Sequence, residues 1–434
     1  MNRKYIATAL LLSFGLSLTA TGCGKKEDTA AESTSANDTF VVETSEAEDV
    51  DVPTETTETE TPVEHYVHGD EGYYSLIDEG YGTPVKPQKA GTCWVCAAST
   101  SMESYYLKVK GETISLDEME LCDYIYDDDK EEGYFILPGT DRYDWGGWGW
   151  MVSERLSNGY GDYILVDATN YEGYSIEELK EVIKNNGALH VALNDQYQSY
   201  VGRFDGYLTY NVKSAEKDHA VCIVGWDDNF PKEYFVNQPS QNGAWLCQNS
   251  GGNAFFDGGY YWISYEMSLC ENTVFILSED YDHVTAYDAG ATNSFSTGST
   301  TKTANVFNDP GDLRAVGLYI PEKNEDVHIY ICDEKMDKVL YEQEASFEHS
   351  GYHVVDLDEP VSVGKYSIVV EYSGAAAVEG ENFGDECLEY RVFAKPGESF
   401  AYVDGEWVDM SSDDIQTKLG IDFVPNSCCI KAIY

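Results

Sequence analysis

Thr83-Pro84-Val85-Lys86-Pro87-Gln88-Lys89-Ala90-Gly91-Thr92-Cys93-Trp94 is the stretch that decides the fold of this chain. Its two prolines and its glycine hold off helix formation until Thr92. From Val95 to Leu107 the apolar positions Val95, Ala98, Met102 and Tyr105 then recur near helical spacing. Thr92 reads as an N-cap, which sets Cys93 in the first turn, where unpaired backbone N–H groups and the helix dipole favour a thiolate. Such placement suits a nucleophile. Two other readings stay open at this point. One is a buried structural thiol, the common fate of free cysteine; the other is a redox pair of Cys93 with Cys96, which the bulky Trp94-Val95 between them disfavours.

A nucleophilic thiol needs a base. His219 opens Asp218-His219-Ala220-Val221-Cys222-Ile223-Val224-Gly225-Trp226, which reads as a buried strand entered from the histidine, so its ring can face a cleft. His190 lies within the strand-like run from Ala188 to Leu193, where a packed histidine is expected. Asn249 follows Ala244-Trp245-Leu246-Cys247-Gln248, a place from which it can accept one imidazole N–H and hold the tautomer. Taken singly, an asparagine there reads as a turn former. His219 lies 126 residues after Cys93 and Asn249 lies 156 after it, spacings that bracket those of papain-type proteases.

Together these motifs resemble a papain-like cysteine peptidase of the bacterial type that carries a C-terminal lectin-like domain. The likeness rests on PVKPQKAGTCW around Cys93, DHAVCIVGWDDNFPKEYF around His219 and NGAWLCQNSGGNAFFDGGYYWISYE around Asn249, and covers about residues 73–277. It implies an α+β, two-lobed peptidase with a helical lobe and a β-rich lobe. It also implies that Cys93 is the nucleophile, His219 its base and later acid, and Asn249 the orienting group. Gln88 and the Cys93 backbone N–H would be the oxyanion donors, and Gly146-Gly147 the pair along which extended substrate lies. Two positions depart from the family pattern. Gln88 stands five residues before Cys93 instead of six, which shortens the loop by one residue. Gly251 stands where the family has a tryptophan over the His/Asn hydrogen bond, so a weaker pair is expected unless Phe255 or Phe256 substitutes. No cofactor or metal is called for: Asp127-Asp128-Asp129 and Asp227-Asp228-Asn229 lack an EF-hand pattern and read as solvated turns.

Around this centre, Ser175-Ile176-Glu177-Glu178 is a capping box, and Ile176, Leu179, Val182 and Ile183 form an apolar stripe that stops at Gly187. Beyond about residue 278 the pattern changes to short alternating strands, as in Val327-His328-Ile329-Tyr330-Ile331, and a β-sandwich is expected. ANVFNDPGDLRAVGLYIP, GYHVVDLDEPVSVGKYSIVVEY and GESFAYVDGEWVDM resemble the lectin-like domain of the same peptidases, and carbohydrate binding follows from that resemblance alone. Trp407 reads either as a sugar-stacking residue or as edge-strand core.

The 434 residues suffice for two to three domains, and a formal charge of -51 excludes nucleic-acid binding. Eleven cysteines do not read as a disulfide framework. Asn2, Arg3 and Lys4 before an apolar run from Ile6 to Leu18 read as a secretion signal over residues 1–22, and Ala20-Thr21-Gly22-Cys23 resembles a bacterial lipobox with Cys23 lipidated. Residues 27–64 hold 13 Asp or Glu, 9 Thr and no Lys or Arg, so residues 23–72 read as a self-repelling tether. The expected layout continues with a peptidase over 73–277 and a lectin-like β-sandwich over 278–434. The expected function is a cysteine endopeptidase on the outer face of a bacterial membrane, with peptide or protein substrates and a lipid anchor. The competing reading is a decayed peptidase homologue acting as a carbohydrate-binding or adhesion lipoprotein.

Overall fold

The computed structural model describes residues 66–126, 132–194, 201–213, 216–253, 258–290, 293–380 and 387–434. The signal run, Cys23, the tether up to residue 64, Asp127-Asp128-Asp129, Phe255 and Phe256 lie outside the described residues.

The first part runs β1 (Tyr73–Ser75), α1 (Cys93–Tyr105), α2 (Glu118–Ile125), β2 (Gly133–Ile136), α3 (Arg142–Trp145), α4 (Gly149–Leu156), β3 (Ile164–Asn170) and α5 (Ile176–Asn186). It continues through β4 (Leu189–Leu193), β5 (Val201–Phe204), β6 (Tyr207–Tyr210), β7 (His219–Asp227), β8 (Ala244–Gln248), β9 (Tyr260–Ser264) and β10 (Cys270–Ser278). Helices thus crowd the first half of this part and strands the second. The Ser175 capping box is present with both of its hydrogen bonds. Helix α5 ends at Gly187, whose φ of 103° and close approach to Ser104 leave no room for a Cβ.

Helix α1 can lie close to the sheet because its inner face is small. Ser101 Oγ donates to the Ala188 carbonyl at 2.9 Å, Ser104 Oγ accepts the Ala188 N–H at 2.9 Å, and Cys222 Sγ donates to the Ala97 carbonyl at 3.0 Å. Every residue of β7 is buried, as expected for a strand covered on both faces.

The second part runs β11 (Val284–Thr285), β12 (Asn293–Phe295), β13 (Thr301–Phe307), β14 (Gly311–Ile320), β15 (Glu325–Asp333), β16 (Val339–Phe347) and β17 (Gly351–Val363). It closes with β18 (Tyr366–Tyr372), β19 (Ala376–Gly380), β20 (Leu388–Arg391), β21 (Ser399–Val403), β22 (Glu406–Asp409), β23 (Pro425–Cys428) and β24 (Ile430–Ile433). One layer is the sheet β16-β15-β18-β13-β21-β22. It packs Val327, Ile329, Ile331, Ile368 and Val370 against Leu313, Val316, Leu318 and Ile430 of the facing strands. Those facing strands are not a sheet of their own. Gly351, Tyr352 and His353 of β17 pair with Thr169, Ala168 and Asp167 of β3, so among the described residues one thirteen-stranded sheet runs from β11 to β5 through both parts. Strand β2 pairs with β20 as a second link. Trp407 is half-buried and packs over Ala304, Cys332 and Val369 with Phe400, on the side of the sheet away from the main core.

The acidic turn expected at Asp227-Asp228-Asn229 is not a solvated one. Asp227 is fully buried and bonds His68 Nδ1 at 2.5 Å, while Asp228 pairs with Lys180 at 2.6 Å. Both partners come from segments distant in sequence, which charge patterning along the chain does not reveal.

Carboxyls are also buried where the two parts meet. Glu379 accepts from the Ala289 N–H at 2.7 Å, the Tyr390 hydroxyl at 2.8 Å and Asn426 Nδ2 at 2.6 Å. Burial, with Asp288 nearby, pushes its carboxyl up to about 8, and burial pushes Glu271 up to about 7. Between their ordinary value of 4.5 and these limits the folded chain holds protons that the unfolded chain has released, so stability falls as pH rises. His190, pushed down to about 4 by burial, and His349, also lowered by burial, act in the opposite sense below their ordinary 6.5, against Glu379, Glu271 and the carboxyls of Glu103, Glu325 and Glu398, which burial also raises. The thermal midpoint is therefore expected to fall from about pH 5 to pH 8, and Glu379→Gln to flatten that slope. Calorimetry across this range checks both, and a midpoint that rises with pH would contradict the assignment.

Candidate active site

The segment before α1 is extended because Pro84 and Pro87 exclude helix, and it zips onto the chain that follows β8. Pro87 forms a β-bridge with Gly251, and the Gln88 N–H donates to the Ser250 carbonyl at 2.6 Å. Cys93 is the first residue of α1 and is nearly buried. Thr92 occupies the N-cap position, but its hydroxyl makes no capping bond. Instead it donates to the Lys89 carbonyl at 2.9 Å and accepts the Lys89 N–H at 3.1 Å. The expected side-chain cap is thus replaced by a bond that tightens the loop, and the first-turn N–H groups of α1 keep no side-chain acceptor from Thr92. The unpaired N–H groups of a helix start favour a nearby negative charge.

His219 is the first residue of β7, and Asn249 directly follows β8. Because these strands are antiparallel, the start of one lies beside the end of the other, and His219 Nε2 donates to Asn249 Oδ1 at 2.7 Å. An amide oxygen can only accept, so the proton of the neutral ring sits on Nε2 and Nδ1 is its basic nitrogen. Asn249 Oδ1 also accepts the Ser250 N–H at 2.8 Å, and the Asn249 N–H donates to the Gly259 carbonyl at 2.9 Å. The Ala97–Cys222 contact, one turn after Cys93 and three residues after His219, holds the start of α1 against the start of β7.

Gln88 joins the same group of residues. Ser250 Oγ donates to Gln88 Oε1 at 2.6 Å, and Gln88 Nε2 donates to the Ala90 carbonyl at 2.6 Å. These two bonds set the plane of the amide and use one of its two N–H groups. The loop that is one residue short is closed by Ala90, which adopts a left-handed φ of 52°. Gly147 lies against Trp94, the residue after Cys93. A Cβ on Gly147 would stand 2.3 Å from the Trp94 ring, and the Gly146 carbonyl accepts from Tyr126 at 2.8 Å. His190 lies elsewhere, fully buried with Nδ1 3.1 Å from the Glu271 carbonyl. Cys96 is buried, and burial with Glu118 nearby pushes its thiol up to about 12, which leaves no thiolate for a redox pair at neutral pH. All ten described cysteines are free. Among the described residues no group of three or more His, Cys, Asp or Glu side chains is arranged to hold a metal.

Two participants escaped the sequence reading. Ser250 looks like an ordinary turn residue, and its adjacency to Asn249 was the available signal. Ala90 carries no mark of its left-handed backbone, since glycine is the residue that announces it.

Residues 161–278 match the model of the papain family cysteine protease, and residues 284–434 that of the lectin like domain. The chain carries a papain-family protease domain and a lectin-like domain. The first of these matches includes His219 and Asn249 and begins after Cys93 and Gln88. Among curated relatives, the protease domain is similar to digestive cysteine proteinase 3 of Homarus americanus, 28% identical over 195 residues, which is 42% of this chain and 58% of that protein. It is also similar to cathepsin L2 of Homo sapiens, 26% identical over 207 residues, 43% of this chain and 58% of that protein. The chain thus spans about 58% of the length of these relatives. Among solved structures, both domains together resemble the clostridial cysteine protease Cwp84 after propeptide cleavage, with TM-score 0.68, 21% identity and coverage of 83% of this chain and 98% of that one. A structure of the cysteine protease and lectin-like domains of Cwp84, described as a surface layer associated protein of Clostridium difficile, aligns with TM-score 0.67 and 22% identity over 85% of this chain and 89% of that one. At such identities the likeness establishes the fold.

Proposed function

We propose that this chain is a cysteine endopeptidase that hydrolyses peptide bonds through Cys93, His219, Asn249 and Gln88. The observation that carries the reading is the unbroken set of hydrogen bonds from His219 through Asn249 and Ser250 to Gln88, set beside a helix that begins at Cys93. In the reaction, His219 Nδ1 takes the Cys93 proton and the thiolate attacks the substrate carbonyl carbon, forming a C–S bond. The Cys93 N–H and the second Gln88 N–H receive the oxyanion. The imidazolium then passes its proton to the leaving amine as the C–N bond breaks. Water, deprotonated by His219, attacks the thioester, and collapse of the second tetrahedral species releases the acid and the Cys93 thiolate, which His219 reprotonates or holds as an ion pair. Asn249 keeps the ring in the tautomer that both transfers require. Gly146 and Gly147 would let extended substrate pair closely with the backbone.

The protein would work at a cell surface. In support stand the surface-layer description of Cwp84 and the Ala20-Thr21-Gly22-Cys23 run, whose cysteine would carry the lipid. The lectin-like domain would add carbohydrate as a second ligand class. An epoxysuccinyl thiol-protease inhibitor tests the chemistry. Fast labelling at about pH 6 is expected, mapped to Cys93 by peptide analysis and lost in His219→Ala. A folded chain that takes no label, or takes it equally well without His219, would refute the assignment.

A further inference from the structure

We propose that Lys86 is a positioning residue for this reaction, clamping the segment that carries Gln88 against the helix that carries Cys93; the inference rests on the peptidase reading of those two residues. Lys86 stands two positions before Gln88, between two prolines, and its ammonium turns inward. It donates to Glu103 Oε1 at 2.8 Å and to the Leu116 carbonyl at 3.0 Å, and pairs with Glu118. Three acceptors match its three N–H donors, and they come from α1, from the turn into α2 and from the first residue of α2. Glu103 also accepts the Leu116 N–H at 2.9 Å, so the same carboxylate binds the turn and the ammonium. On the other side, the segment is held to the β8 end by Gln248 Nε2 on the Pro84 carbonyl at 3.2 Å, by the Pro87–Gly251 bridge and by the Gln88–Ser250 bonds.

Lys86 is therefore where two sets of fastenings meet. The β8 side carries Asn249 and Ser250, and the α1 side carries Cys93. Burial works to lower the Lys86 pKa, but the bonds to Glu103 and Glu118 overcome it, so the ammonium stays charged and its clamp holds at working pH. A neutral side chain at this position would leave Glu103 and Glu118 facing each other without a cation, and would free the Gln88 end of the segment to drift from the oxyanion. A displacement of about 1 Å at a reacting group can cost about 10²-fold in rate.

The test compares two reactions of Cys93 in the full chain. Peptide hydrolysis passes through an oxyanion, whereas alkylation by iodoacetamide does not. Lys86→Met is expected to lower kcat for a fluorogenic peptide by about 10- to 100-fold with KM far less changed, while the alkylation rate stays near that of the wild type. In a Gln88→Ala background, Lys86→Met is expected to cost nothing further. Glu118→Gln takes the charge from one of the three contacts while Glu103 still neutralises the ammonium, and should show the same split, smaller. If Lys86→Met does not fold, Glu118→Gln decides, and an unchanged kcat there overturns the proposal. Equal losses of hydrolysis and alkylation at an unchanged thermal midpoint would make Lys86 a general support of α1 and overturn it too, as would additive effects of Lys86→Met and Gln88→Ala. A wild-type chain that neither hydrolyses peptide nor alkylates selectively at Cys93 would instead refute the peptidase reading, and the role of Lys86 with it.

Discussion

Cys93→Ala is expected to lower kcat for peptide hydrolysis by about 10⁵- to 10⁶-fold, the scale seen when a hydrolase that forms an acyl-enzyme loses its nucleophile. His219→Ala should cost nearly as much, and the double variant little more than either single one, because thiol and imidazole act as one unit. Asn249 contributes differently. Its Oδ1 holds the Nε2–H of His219 at 2.7 Å, so it acts on which nitrogen is basic and leaves bond making to the other two. Single-turnover assays with a fluorogenic peptide separate these contributions from substrate binding. Residual activity within about tenfold of the wild type in Cys93→Ala would remove the residue from the mechanism.

Lys431→Met carries the largest effect expected on stability. The side chains of Lys431 and Asp288 are both completely inaccessible to solvent, with Nζ 2.6 Å from Asp288 Oδ2 and 2.7 Å from Asn158 Oδ1. Asn158 follows α4, whereas Asp288 and Lys431 fall within the residues that match the lectin like domain, so the pair ties α4 to that part of the chain. Methionine matches the length of the lysine stem but leaves the Asp288 carboxylate buried and uncompensated. Breaking one side of such a pair costs about 3–5 kcal/mol. The double variant Asp288→Asn with Lys431→Met carries no stranded charge and should recover most of that loss. Urea unfolding followed by tryptophan fluorescence measures both. A loss below about 1 kcal/mol in Lys431→Met would show that the pair contributes no more than an exposed one.

Much of the candidate site was legible one residue at a time. Cys93 was marked by the prolines and glycine before it and the helical period after it, His219 by its place at the mouth of an apolar strand, and Asn249 by its place at the end of the next strand. Each is a local pattern, and local patterns survive translation into backbone geometry because they rest on φ limits and side-chain periodicity. The Ser175 capping box is present for the same reason. Where a residue had two possible partners, the chain order did not choose between them. Thr92 has the chemistry of a cap, but its hydroxyl turns back to Lys89, which the short loop brings within reach. Asp227 has the look of a solvated acid, yet His68 arrives from 159 residues upstream to bond it.

By itself, then, the sequence determined the kinds of chemistry available here: a thiol at a helix start, an imidazole at a strand mouth, two compositionally distinct parts and a charge of -51 that repels polyanionic partners. Only the tertiary structure decided which of these groups meet. The 2.7 Å His219–Asn249 bond, the Ser250 hydroxyl on Gln88, the three contacts of Lys86 and the pairing of β17 with β3 join residues that are 17 to 186 positions apart. Such contacts follow from strand order and register, which no single segment encodes. They form because the backbone and buried polar groups of one segment find their partners only when the others are already in place.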